Sequence, residues 1–332
     1  MSERTNEPPA SDDRSNEPSA PSGSGWAQSS GTGTPADHRS GFACFVGRPN
    51  AGKSTLTNAL LGNKVAITSS RPQTTRHAIR GIMNRPGAQL VVVDTPGLHK
   101  PRTLLGSRLN DIVRETWAEV DVIGFCVPAD APVGRGDEFI IRELRSVARR
   151  TPVLGVVTKT DLAQPPVVAQ RLSQMSELMD FADIVPCSAV DGFQVDTVAD
   201  LLIDRLPPGP PLYPDGELTD EPETTLVAEL IREAALEGIR DELPHSLAVL
   251  IEEMVPHPGR DDMLDVHALL FVERSSQKGI IIGKHGARLK EIGTAARTQI
   301  EALLGTKIFL ELHVKVAKDW QRDPRQLRKL GF

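Results

Sequence analysis

Cysteine is scarce: 332 residues hold three, Cys44, Cys126 and Cys187, each inside an apolar run. Three scattered thiols build no disulfide framework, and none has a neighbour at metal-ligand spacing. They read as small core residues of a protein made for a reducing cytosol. Aromatics are few, at 4%, with a single tyrosine. No apolar run approaches the roughly 18 residues of a membrane span, which leaves at most a peripheral membrane association, and the polar N-terminus has no signal-peptide pattern. Large apolar side chains are nearly missing from residues 1–38, where Ser, Pro, Gly, Asn and acids surround the isolated Trp26. Such a stretch cannot offset chain entropy by burial and is expected to be disordered.

An excess of basic charge is lacking too, since the net charge is −6. Its distribution is uneven. From Asp215 to Asp265 fifteen acidic residues face three basic ones, a balance of −12; from Glu273 to Phe332 thirteen basic residues face six acidic ones, a balance of +7. A basic face at the end of an acidic chain points to a localised anionic partner.

What is present centres on Gly47-Arg48-Pro49-Asn50-Ala51-Gly52-Lys53-Ser54, which fits the phosphate-loop pattern Gly-x4-Gly-Lys-Ser. An apolar run, Phe42–Val46, precedes it as a buried strand. Thr55 opens the helical pattern that follows, ended by Gly62. The glycines let backbone N–H groups form a nest for phosphate oxygens, and the helix N-terminus adds positive potential. Lys53 reaches the outer phosphates and Ser54 binds Mg²⁺.

From Gly41 strands and helices alternate. Strands are expected at Phe42–Val46, His77–Met83, Gln89–Val93, Val122–Val127, Val153–Val157 and Ile184–Cys187. Helices are expected at Ser54–Leu61, Leu105–Val120, Gly136–Val147, Pro166–Asp180 and Val195–Leu206. Continuous apolar strands between helices imply an α/β domain over 39–206 with a mostly parallel sheet covered on both faces, His77–Met83 being antiparallel to its neighbour. Ligands then sit past the C-terminal strand ends. Residues 207–223, rich in proline and acids, read as a stiff linker. A second domain, 224–332, shows a helix at Thr225–Leu236, strands at Leu247–Met254 and Met263–Glu273, a loop at Gly279–Gly286, a helix at Ala287–Leu304 and a strand at Lys307–Val316.

Further motifs follow strand ends. Asp94-Thr95-Pro96-Gly97 can hold Mg²⁺ through Asp94 and a γ-phosphate through the Gly97 N–H, shifting when that phosphate leaves. Thr158-Lys159-Thr160-Asp161 presents a carboxylate able to accept from guanine N1–H and N2–H, which adenine cannot supply, with the Lys159 stem over the base. Cys187-Ser188-Ala189 can contact guanine O6 through its backbone. Within Gln73-Thr74-Thr75-Arg76-His77, the Thr75 hydroxyl is the candidate to complete the Mg²⁺ shell. Leu98, where Ras-like proteins carry a water-orienting Gln, cannot orient water; His99, next to it, is a candidate base, more readily a plain loop residue.

In the second domain, Gly279-Ile280-Ile281-Ile282-Gly283-Lys284-His285-Gly286 precedes an amphipathic helix. An Ile-rich lead-in, Gly-x-x-Gly with basic inserts and then a helix is the KH arrangement, whose loop clamps about four unpaired nucleotides. The glycines allow close approach to phosphates and Lys284 adds charge, with Arg288 beside them. Ile280, Ile281 and Ile282 offer an apolar floor for bases. Helix first and Gly-x-x-Gly late is the type II order. Trp320 reads as a core cap.

Taken in order, these motifs resemble the Era family of the translation-factor class of GTPases, over about residues 41–332. The resemblance implies a slow Mg²⁺-dependent GTPase with GTP and GDP as ligands, in which Lys53, Thr75, Gly97 and Asn50 serve hydrolysis. Asn50 holds K⁺ against the phosphates in related GTPases. It also implies a monomer that binds the 3′ end of 16S rRNA during maturation of the 30S subunit, with no DNA partner. The setting is cytoplasmic, with peripheral contact at the inner face of the cell membrane. The family's Asn-Lys-x-Asp motif here begins with Thr158, which implies weaker binding with guanine choice kept by Asp161. The rival readings are another GTPase of the same class, an ATP-dependent kinase, and an RNA-binding scaffold with a degenerate nucleotide site; only Thr158 supports the last.

Overall fold

The structure is a computed structural model that describes residues 37–68, 75–98, 101–237 and 246–332. Of the N-terminal extension, residues 1–36 lie outside this range, and so do Gln73, Thr74 and His99. His38, assigned to the extension, is already tied in: its carbonyl accepts from Gly209 N at 2.9 Å.

Six strands form the first sheet: β1 (Arg39–Gly47), β2 (Ile79–Arg85), β3 (Ala88–Asp94), β4 (Val122–Pro128), β5 (Val153–Thr158) and β6 (Asp183–Pro186). Their order is β2-β3-β1-β4-β5-β6. All pairs are parallel except β2 with β3, where Pro86 and Gly87, the latter at φ 76°, leave room only for a hairpin turn. Strands β3, β4 and β5 are buried at every position, because helices cover both faces. On one face lie α1 (Lys53–Leu61) and α5 (Val195–Ile203), packing Leu56, Leu60, Val198 and Leu202. On the other lie α2 (Leu104–Glu119), α3 (Arg135–Val147) and α4 (Pro165–Leu178), packing Trp117, Ile140, Leu144 and Met175.

The proline-rich segment is more than a spacer, for it is laid along this sheet. Buried Gln89 accepts from Leu212 N at 2.6 Å and Tyr213 N at 2.9 Å, Ser40 Oγ donates to Pro210 O at 2.6 Å, and Ile82 N donates to Leu218 O at 2.9 Å.

The chain then forms α6 (Glu223–Leu236), β7 (Ala248–His257), β8 (Arg260–Val272), α7 (Ser275–Ile282), α8 (Ala287–Leu304) and β9 (Lys307–Val316). β7 is antiparallel to β8, and β9 is parallel to it. This is the expected type II order. Val227, Ile231, Val266, Leu270, Ile292 and Ile300 form the core beneath α6 and α8. The opposite face of the sheet is closed by Trp320, by α9 (Pro324–Lys329) and by Leu105 and Leu109 of α2.

Two expectations are corrected. Residues expected to form a loop from Gly279 are helical up to Ile282. Gln277 Oε1 accepts from Glu273 N and Arg274 N, both at 2.9 Å, which satisfies the start of α7, and Ile281 is anchored in the core. Strands β7 and β8 also run past the expected ends at Met254 and Met263, to His257 and from Arg260, joined through Gly259 at φ 78°.

Candidate functional site

The loop after β1 holds its shape through a few specific backbone conformations. A Cβ on Gly47 would stand 2.5 Å from the Cys126 carbonyl oxygen, so only glycine lets the loop leave β1 against β4. Asn50 (φ 63°) and Gly52 (φ 84°) take left-handed conformations that turn the loop inward. Lys53, at the start of α1, is buried, and its Nζ donates to the carbonyls of Gly47 at 3.2 Å and Arg48 at 3.0 Å. Burial lowers its pKa, with Asp94 opposing. Pro49 is exposed at the loop's crest; Ala51 is buried beneath it, and Thr55 is half-buried in the first turn of α1.

Ser54, Thr75 and Asp94 converge from three elements. Ser54 Oγ donates to the Asp94 carboxylate at 2.9 Å, Thr75 Oγ1 donates to the same oxygen at 2.9 Å, and the two hydroxyls are 3.3 Å apart. Burial pushes the Asp94 carboxyl up to about 6, against the pull of both hydroxyls and Lys53. Two hydroxyls and one carboxylate form a hard-oxygen donor set that fits Mg²⁺ held jointly with nucleotide phosphates. Thr95 and Pro96 are buried behind Asp94. Gly97 follows, and a Cβ there would lie 4.0 Å from Lys53 Nζ.

At the end of β5, Thr158 is buried and its Oγ1 donates to the Ala51 carbonyl at 2.6 Å, tying the base-side motif to the phosphate loop. Lys159 takes φ 56° and pairs with Asp130 at 3.5 Å. Thr160 N donates to Cys187 O at 3.3 Å. Asp161 is exposed, and one of its carboxylate oxygens accepts from Ser188 Oγ at 2.7 Å, which fixes its direction. Ala189, half-exposed, follows. Cys187 itself is core: burial pushes its thiol up to about 11.

Two residues expected at the nucleotide turn elsewhere. The Leu98 side chain packs in the core with Val93 and Val113, so only its backbone faces the loop region. The Arg48 side chain pairs with buried Asp137 of α3 at 2.8 Å and donates to Pro132 O at 3.1 Å, leaving its carbonyl to the loop. Sequence reading missed this brace because its partners lie far along the chain.

In the second half, Gly283, Lys284, His285 and Gly286 join α7 to α8. Gly283 (φ 71°), His285 (φ 53°) and Gly286 (φ 78°) all have positive φ, and Lys284 and His285 are exposed. A Cβ on Gly283 would stand 2.5 Å from Arg288 Cβ. The isoleucine floor is corrected: Ile281 is fully buried in the core, Ile282 is half-buried against it, and only Ile280 is exposed. Arg288 is engaged within the protein, by Glu291 at 3.2 Å and by the Glu237 carbonyl. Beside Gly286 runs a groove of about 540 Å³ between α8 and β9, lined by Leu289, Gly293, Arg297, Phe309 and Leu312. Sequence reading missed it; the exposed Phe309 in an otherwise alternating strand was the available signal.

With this geometry in hand, the relatives are decisive. Residues 42–159 match the family described as 50S ribosome-binding GTPase, and residues 242–321 match the KH domain. GTPase Era of Mycolicibacterium smegmatis is 65% identical over 297 residues, covering 89% of this chain and 99% of that one. GTPase Era of Mycobacterium avium is 67% identical over the same length and coverage. The chain belongs to the Era family. As a member of that family it is a GTPase. Two solved Era structures superpose with TM-score 0.84 at 38% identity. One, from Aquifex aeolicus, is bound to GDP·AlF₄⁻ and covers 88% of this chain and 99% of its own. The other is in complex with MgGDPNP and nucleotides 1506–1542 of 16S ribosomal RNA, and covers 89% and 99%. Among the described residues no helix is long and apolar enough to cross a membrane.

Proposed function

We propose that this chain is a GTP-driven switch whose nucleotide state governs the grip of its KH half on the 3′ region of 16S rRNA, assisting maturation of the 30S subunit in the cytoplasm as a monomer. The observation that carries this reading is the seat of α2. This helix follows the phosphate-sensing segment that ends at Gly97 and Leu98, and its Leu105 and Leu109 pack with Leu269, Phe271 and Trp320 of the KH half. A loop that moves with the terminal phosphate therefore pulls directly on the RNA-binding half.

The residues divide the work. Lys53 and the loop amides hold phosphates, Ser54, Thr75 and Asp94 hold Mg²⁺, and Gly97 senses the γ-phosphate. Asp161, aimed by Ser188, selects guanine. Held by Ser54, Thr75 and Asp94, Mg²⁺ would supply charge neutralisation to the phosphate being transferred. Hydrolysis to GDP and phosphate proceeds by positioning and electrostatic stabilisation, with no covalent enzyme intermediate. Asn50 lies at the exposed crest of the loop, and we assign it to K⁺, which would supply the charge an arginine finger gives elsewhere; turnover equal in KCl and NaCl removes that assignment. On the RNA side, Gly283 to Gly286 with Lys284 clamp the backbone, and the α8–β9 groove takes bases.

Crosslinking of 16S rRNA 3′-end RNA to the chain carrying GDPNP or GDP tests the whole reading. Crosslinks confined to α7, α8 and β9, and stronger with GDPNP, are expected. Abolition of turnover by Lys53→Ala is expected too; unchanged turnover would favour a scaffold with a degenerate site.

A further inference from the structure

Thr75, Arg76 and His77 are consecutive, yet they face different partners. Thr75 Oγ1 sits on Asp94 at 2.9 Å and beside Ser54 Oγ at 3.3 Å. Arg76 is 1% exposed. Its Nη1 donates to the Leu247 carbonyl at 2.6 Å, and its guanidinium carbon lies 5.7 Å from the centroid of the Trp320 ring. His77 stacks on Phe332 with ring centroids 4.7 Å apart. Trp320 is in turn fully buried, and its Nε1 donates to Ser246 O at 2.9 Å. Phe332 stacks on Trp320 at 6.2 Å, and its carbonyl accepts from Arg108 of α2.

A buried guanidinium is costly unless its contacts are specific. Here a carbonyl and an aromatic face supply them, and both belong to the KH half and the segment behind it. Thr75 and Arg76 share one peptide unit, about 3.8 Å from Cα to Cα, so the backbone that the buried Arg76 side chain anchors is the backbone that presents Thr75 Oγ1 to the Asp94–Ser54 pair.

We propose that Arg76 is a positioning residue for GTP hydrolysis: lodged between Leu247 and Trp320, it sets where Thr75 meets the Mg²⁺, so that the KH half controls the metal site through one side chain. Information then passes through Arg76 toward the nucleotide, the reverse of the path through α2. The inference rests on the switch reading in taking Thr75 as a γ-phosphate-dependent metal ligand.

Arg76→Lys tests it on the full chain, since lysine keeps the charge and loses the planar fork that serves carbonyl and ring together. A fall in kcat on the order of ten- to a hundredfold is expected, the scale of an ångström misplacement, with KM for GTP little changed. The Mg²⁺ concentration for half-maximal turnover should rise, while GDP affinity stays at the wild-type value, because Thr75 engages the metal only with the γ-phosphate present. Trp320→Phe should reproduce the loss, and the double variant should be no slower than the slower single one. Wild-type kcat and an unchanged Mg²⁺ midpoint in both single variants would overturn the proposal. So would a loss of GDP affinity in step with turnover, which would make Arg76 a fold residue. The switch reading fails on a separate result, equal RNA affinity of the wild-type chain with GDPNP and GDP, and the Mg²⁺ midpoint is measured without RNA.

Discussion

The hydroxyl of Thr158 donates to the carbonyl of Ala51 at 2.6 Å, joining residues 107 apart in sequence. Threonine in place of the asparagine usual in the family thus still braces the phosphate loop, and what its shorter side chain gives up lies on the base side. Thr158→Val keeps the shape and removes the donor, leaving the Ala51 carbonyl buried without that bond. Such a loss costs about 1–3 kcal/mol, so calorimetry should show GDP binding weakened by roughly five- to a hundredfold. Thr158→Asn should bind at least as tightly as wild type.

Guanine choice rests on Asp161, whose direction Ser188 fixes at 2.7 Å. Asp161→Asn replaces an acceptor oxygen with a donor against guanine N–H groups. Discrimination between GTP and ATP in competition binding should fall by about 10²-fold or more. Ser188→Ala removes the hydrogen bond that directs Asp161, worth about 1 kcal/mol, together with the one Ser188 Oγ accepts from Asp191 N at 3.2 Å, so it should weaken GTP binding roughly fivefold with guanine still preferred.

The two glycines of the KH junction should differ in sensitivity. Both have positive φ, but a Cβ on Gly283 would meet Arg288 Cβ at 2.5 Å, whereas a Cβ on Gly286 would meet no atom within 4 Å. Gly286→Ala carries only the left-handed strain, about 1–2 kcal/mol. Gly283→Ala adds a clash that pushes α8 from α7. RNA affinity should drop further for the Gly283 variant, with GDP binding unchanged in both; equal losses would contradict the packing argument.

His77 makes stability depend on pH. Burial, and then the Arg232 and Arg76 charges against the opposing pull of Glu229, hold its pKa below the ordinary 6.5. Between that folded value and 6.5 the unfolded chain binds a proton that the folded chain does not, so stability rises with pH there and is lost as pH falls. Asp94, raised to about 6, contributes with the opposite sign below that pH, so the test is the difference between wild type and His77→Phe, which keeps the stack on Phe332: in urea melts between pH 5 and 7 the stability of wild type relative to His77→Phe should rise with pH.

The buried parallel strands were legible because each is an apolar run bounded by turns, and the phosphate loop, Asp94 and Asp161 follow those runs. The helix Ala287–Leu304 emerged with its observed ends, fixed by Gly286 and Gly305. Helix α7 was not legible: Gly279 and three β-branched isoleucines argue against a helix by propensity, and burial of Ile281 overrode them. The same burial removed two of the three isoleucines from the proposed floor. Contacts such as Arg48 with Asp137, Thr158 with Ala51 and Arg76 with Trp320 join residues distant in sequence, and local pattern carries no trace of them.

The claim at the centre of this account is that the terminal phosphate of GTP sets the grip on RNA. Its most direct measurement is the equilibrium affinity of the full chain for a single-stranded RNA from the 16S 3′ end, with saturating MgGDPNP and again with MgGDP. The account expects tighter binding with GDPNP, and a difference that disappears in Lys53→Ala. Equal affinity with the two nucleotides in the wild-type chain would contradict it.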